Sequence, residues 1–167
     1  MKLRHIFTII LFSFIANLSV AQTIDFDLIE YKGLRFFSSK SEIVKKMGKP
    51  QKIYDPEYDC GFLSTATQDG VFLTLDYDNI KFTGNKKERY VLDYVNFEND
   101  HSIIVKYGNR NLSHKTNLSE LIDIFGDEVA KSYGDQKDGD IIIFEENQKE
   151  DGIRIRIKNG KLVWIEY

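Results

Sequence analysis

The chain has 167 residues, a formal charge of −3 at pH 7 and a single cysteine, Cys60. That length holds one compact domain, or two small halves that share a core. The acid excess argues against non-specific nucleic-acid binding, which needs a basic face to displace counterions, and one thiol excludes an intramolecular disulfide.

Residues 1–21 read as a secretory signal. Lys2 and Arg4 open the segment, an apolar run covers 6–15, and Ser19-Val20-Ala21 supplies the small residues of a cleavage site. The apolar run is about ten residues, short of the roughly 20 that cross a bilayer as a helix, so no stable membrane insertion is expected after cleavage. No cysteine stands at the junction to accept a lipid. Loss of Lys2 and Arg4 takes the formal charge from −3 to −5, and an exported protein, periplasmic or secreted, is expected.

A strand is expected over 28–34. It is followed by S39-K-S-E-I-V-K-K-M-G-K-P50, in which Ser39 is a good N-cap, Glu42 completes a capping box, Ile43, Val44 and Met47 recur at helical spacing, and Gly48 closes the helix before Pro50. A loop follows over 54–61. The dipeptide Asp69-Gly70 predicts a hairpin between strands 62–68 and 71–77, with Val71, Leu73, Leu75 and Tyr77 on one face. A second loop is expected at 83–87, then strands at 90–97 and 103–107. The segment N117-L-S-E-L-I-D-I-F-G-D-E128 repeats the first helix seventy-eight positions on, with Asn117 for Ser39, Glu120 for Glu42, and Leu121, Ile122 and Phe125 as the apolar face before Gly126. A third loop covers 132–140. Strands are expected at 141–145, 153–157 and 162–166, the middle one alternating strictly as Ile-Arg-Ile-Arg-Ile, and Asn159-Gly160 turns the last pair.

The pattern predicts an α+β fold made of two tandem related units, 22–99 and 100–167, each a short helix packed on an antiparallel sheet of about three to four strands. Helices of about ten residues are marginal alone in water, so each must lie on sheet. Duplication lets the two halves extend one sheet or pack together.

The string S-x-x-E-I-V-x-x-M-G-x-P followed by strands resembles the helix-to-sheet signature of two related groups. One is the small lipoprotein of the outer-membrane β-barrel assembly machinery; the other is the β-lactamase-inhibitory-protein family, where the unit occurs in tandem. The resemblance covers about a dozen residues in each half. It implies helices on an antiparallel sheet, and protein–protein contact through a broad sheet face without catalysis. Phe37 replaces a glycine that often precedes the signature, Glu128 stands where a second proline would be, and no binding residue is carried over.

Catalytic constellations are thin. His101, His114 and Cys60 permit a Cys-His pair arithmetically, but no local signature supports one. The chain lacks a G-x-S-x-G elbow, a P-loop, G-x-G-x-x-G and H-E-x-x-H. Asp55, Glu57 and Asp59 alternate as in a calcium loop, yet Cys60 occupies the position that needs glycine. Asp135, Asp138 and Asp140 read as a solvated acidic loop. No metal and no cofactor are expected.

Between residues 40 and 52 five lysines stand against Glu42, whereas between 119 and 135 five acids stand against Lys131. Such opposed helix faces are either simply solvated or able to orient a bipolar partner. Most aromatics, Trp164 included, suit half-buried strands. Tyr54, Tyr58 and Tyr133 fall in expected loops and are the candidate partner-binding residues, since tyrosine offers much contact area with few rotors to freeze. The functional expectation is an exported, non-catalytic protein that binds another protein or a cell-envelope component. The alternatives are a small-molecule-binding domain and a hydrolase of unrecognised type that uses the loop carboxylates.

Overall fold

The computed structural model describes residues 24–56, 71–87, 89–126, 129, 139–145 and 148–167. The expected signal segment, the Asp69-Gly70 turn, strand 62–68, Cys60, Tyr58 and Tyr133 lie outside these residues, as do most of the two acidic clusters. No helix among the described residues is long and apolar enough to cross a membrane.

The fold is α+β; the described residues form two antiparallel sheets and two short helices with defined bounds. After a single 3-10 turn, Phe26–Leu28, the chain forms a hairpin from β1, Ile29–Tyr31, and β2, Leu34–Arg35. A second hairpin comes from β8, Val105–Tyr107, and β9, Arg110–Leu112. The two lie side by side through β1 and β8, with Ile29 opposite Tyr107 and Tyr31 opposite Val105, giving a four-stranded sheet of order β2-β1-β8-β9. Its inward residues, Ile29, Tyr31, Leu34, Val105 and Leu112, are buried. Each such side chain contributes about 1.5–3 kcal/mol relative to exposure.

Each hairpin is followed by a helix that carries the expected caps. Helix α1 spans Lys40–Met47: the Glu42 amide donates to Ser39 Oγ at 3.3 Å, and the Ser39 amide donates to Glu42 Oε2 at 2.8 Å. Helix α2 spans Leu118–Phe125: the Glu120 amide donates to Asn117 Oδ1 at 3.0 Å, and the Asn117 amide to Glu120 Oε2 at 2.9 Å. Both stop at a glycine with positive φ, 82° at Gly48 and 81° at Gly126. Each glycine amide donates back to a carbonyl of the last turn, Val44 or Ile122.

The large sheet is built from β4, Lys52–Tyr54; β5, Leu73–Asp76; β6, Ile80–Asn85; β7, Arg89–Asn96; β10, Gly139–Glu145; β11, Gln148–Lys158; and β12, Lys161–Glu166. The order is β10-β11-β12-β7-β6-β5-β4, and a short β3, Phe37–Ser38, pairs with the other end of β7. Residues on both sides of the expected 99/100 boundary thus contribute to both sheets. The seam is the β12–β7 pairing, where Trp164, Ile165 and Glu166 face Asn96, Val95 and Tyr94. Phe36, Ile43, Leu75, Phe82, Leu121 and Ile155 belong to one buried core cluster, each at most 2% exposed.

Four strands depart from the expected pattern. Strands β4 and β9 have only three residues each, too few for alternation to show. The loop expected at 83–87 begins later, because β6 continues through Asn85. Gly84 belongs to the strand for a steric reason: a Cβ there would stand 2.0 Å from the Arg89 carbonyl oxygen and 2.6 Å from Tyr90 Cα. Glycine marks close backbone approach here, where sequence reading takes it for a turn. Strand β5 is also shorter than expected, leaving Val71 outside it and 70% exposed.

Candidate functional site: the open face of the large sheet

Period-two alternation sends Ile141, Ile143, Ile153, Ile155 and Ile157 to the core. The intervening residues therefore point to the opposite face. The strand registers align those outward residues into one continuous row across seven strands: Ile142 opposite Arg154, Arg154 opposite Glu166, Glu166 opposite Tyr94, Tyr94 opposite Lys81, Lys81 opposite Asp76, and Asp76 opposite Lys52. At about 4.8 Å per strand gap the row is roughly 29 Å long. A shorter parallel row holds Asp140, Arg156, Trp164 and Asn96.

The centre of this face is aromatic and cationic by turns. Tyr94 and Trp164 have ring centroids 6.3 Å apart; the Arg154 guanidinium lies 5.5 Å from the Trp164 centroid, and Lys81 Nζ lies 5.3 Å from that of Tyr94. Asn96 Nδ2 donates to the Tyr94 hydroxyl at 3.1 Å. Arg154 is further fixed by Glu166, to which Nε donates at 3.1 Å and Nη2 donates as well. Arg156 Nη1 donates to Asp140 at 2.9 Å, and Lys158 Nζ to Glu98 at 2.9 Å. Exposed ion pairs of this kind contribute only about 0–1 kcal/mol each, so their main effect is to hold long side chains in fixed positions.

Tyr54 belongs to this face. It ends strand β4, at the sheet edge rather than in the loop expected from sequence, and is 38% exposed. Partial burial pulls the Lys81 ammonium pKa down, but Tyr54, which hydrogen bonds to it, and Asp76 and Tyr94 together hold it above the ordinary lysine value. Trp164, expected above at a half-buried strand position, and Tyr94 are both half-buried with outward-facing rings. The Ile-Arg-Ile-Arg-Ile alternation shows that β11 has a wet face; the placement of Trp164 and Tyr94 beside it depends on long-range register.

The other titratable groups have structural causes for their shifts. Glu42 and Asp100 are held below the usual carboxylate range, chiefly by hydrogen bonds from the Ser39 and Ser102 side chains respectively. Burial raises Tyr77, Tyr90 and Tyr107. His101 and His114 stack with centroids 4.1 Å apart; His114 Nδ1 is buried without a hydrogen-bond partner, and desolvation followed by the neighbouring His101 lowers the His114 pKa. Among the described residues no group of three His, Cys, Asp or Glu is placed to hold a metal ion. Comparison with protein-family models, curated proteins and solved structures returns no match.

Proposed function

We propose that this chain is an exported, non-catalytic binding protein that presents the open face of its large sheet to another protein or an envelope component. The observation that carries the reading is the cluster of Tyr94, Trp164, Lys81 and Arg154, aromatic rings and cations interleaved on a face that the described residues leave open. Aromatic and arginine side chains dominate binding energy at interfaces when they are pre-positioned and then covered. Tyr54 at one edge and Ile142, 53% exposed at the other, extend the contact surface across the sheet.

The same reading includes a duplicated ancestry. A hairpin, a boxed helix and an antiparallel meander occur in that order twice, and the two copies meet through β1–β8 in one sheet and β7–β12 in the other. Doubling is a direct way to make a sheet wide enough for such a face, since a single copy supplies only three or four of its strands.

The test is site-specific photo-crosslinking in the envelope fraction of the source. A crosslinker at Trp164 should capture one stoichiometric species, and Tyr94→Ala with Arg154→Ala should abolish the capture. A crosslinker at Lys106, on the other sheet, should capture nothing. Equal capture from both positions, or none from Trp164, defeats the reading.

A further inference from the structure

Ten of the described cations form two contrasting sets. Lys106, Arg154, Arg156 and Lys158 each pair with a carboxylate, on Glu30, Glu166, Asp140 and Glu98. Six others flank α1 instead: Arg35, Lys45 and Lys46 rim a hollow of about 440 Å³, Lys40 and Lys86 rim a neighbouring one of about 660 Å³, and Arg89 lines both. None of these six forms an ion pair with a described carboxylate. Among the described residues the one acid lining the hollows is Glu42, whose Oε2 accepts from the Ser39 amide at 2.8 Å and the Ser39 hydroxyl at 2.7 Å, with a weaker attraction to Arg89.

The two hollows differ in character. The first is mainly charged at its rim. The second has an apolar wall of Val44, Leu73, Tyr90 and Val71, and Val44 and Val71 are the side chains of that wall left most open. Arg89, between them, has φ 82°, a left-handed conformation that costs a side-chain-bearing residue about 1–2 kcal/mol. The close crossing at Gly84 over the Arg89 carbonyl fixes the hairpin that holds it there. Backbone strain maintained by its surroundings commonly accompanies a functional position.

We infer that the groove along α1 receives an extended acidic segment of a partner protein, its carboxylates meeting Arg35, Lys45, Lys46 and Arg89 and an apolar side chain lying against Val44 and Leu73. Charge decides the sign of the occupant: six cations against one described carboxylate, around a concave, low-dielectric wall, focus a positive potential that draws in anions and selects partners by charge. Shape decides its form. The hollows fall in the size range of ordinary ligand pockets, and their apolar surface is a recessed wall, whereas a membrane-binding face presents apolar groups that protrude into the bilayer. This surface is separate from the open sheet face and stands or falls independently of it.

The experiment is selection from an array of labelled random-sequence decapeptides by the full mature chain, run in parallel with Lys45→Glu/Lys46→Glu, Arg89→Ala and Val44→Gln. All these positions are exposed, so circular dichroism should show unchanged folding. The expected result is enrichment of peptides with Asp or Glu flanking one large apolar residue. Affinity for the best of them should fall at least tenfold in the double charge reversal and in Arg89→Ala, and the charge-reversed protein should enrich basic peptides. Val44→Gln should reduce the preference for the apolar residue. Lys106→Glu, at a paired lysine on β8, should change nothing. An array without acidic enrichment overturns the inference, as does enrichment indifferent to the reversal, or binding to vesicles with a quarter phosphatidylglycerol in the absence of peptide selection.

Discussion

Helices α1 and α2 begin with the same boxed cap and end with the same left-handed glycine, yet they sink to different depths. Ile43 and Leu121 occupy equivalent places and both are fully buried. One turn on, Phe125 is 1% exposed and its ring lies 4.9 Å from that of Tyr107, whereas Met47 is only partly covered and Val44 is 36% exposed. The contrast separates two kinds of information. Whether a helix forms here is decided within a dozen residues by caps and spacing. How much of it is buried is decided by what long-range neighbours offer, and α1 leaves Val44 exposed where its counterpart in α2, Ile122, is half-buried.

The sharpest way to break this contrast between halves is at their hairpins. Gly84→Ala in the β6–β7 hairpin places a Cβ against backbone and should cost about 4 kcal/mol or more, an exceptional value for one methyl group. Gly160→Ala, in the β11–β12 turn, meets nothing within 4 Å and should cost only about 1–2 kcal/mol for its left-handed backbone. Urea denaturation of both variants gives the ratio; similar losses would remove the difference. Next in size, Phe125→Ala should cost about 3–5 kcal/mol, the range of fully buried aromatic truncations, against about 1–2 kcal/mol for partly covered Met47→Ala. Equal values would mean that α1 is as deeply seated as α2.

Smaller effects should show where the helices agree. Ser39→Ala and Asn117→Ala each remove a cap and should cost about 1 kcal/mol apiece, so a large inequality would show that one box does more than start its helix. The smallest effect belongs to His114, beside α2. Its folded-state pKa is lowered, so the unfolded chain takes up a proton first as the solution is acidified. Stability should be unaffected by this group well above the ordinary histidine value of 6.5 and should decline as pH falls below it. A His114→Gln variant should melt with a flatter pH profile between 7 and the onset of carboxylate protonation, the latter following from Glu42, whose stabilising charge is lost at lower pH.

The parts of the fold legible in sequence are those with local causes. Both capping boxes, both closing glycines and the inward isoleucines of β11 appear where periodicity and capping chemistry put them. Strands β4 and β9 were not legible because three residues cannot display a period, and β6 was obscured by Gly84, whose meaning depends on Arg89 lying across it. Of the candidate contact residues, Tyr54 is on the open face, but as the end of an edge strand. Trp164 and Tyr94 share that face through the register of β12 with β7, which no local pattern specifies.

That register has a kinetic consequence. The residues it joins are roughly seventy positions apart in the chain, so β7 must wait with an unsatisfied edge until β12 has been made and has found it. Loop-closure entropy makes such encounters slow, and a bare edge in the interval invites pairing with another molecule. Refolding yield should therefore fall as protein concentration rises, and a nascent chain would gain from a companion that shields β7 until the late strand arrives.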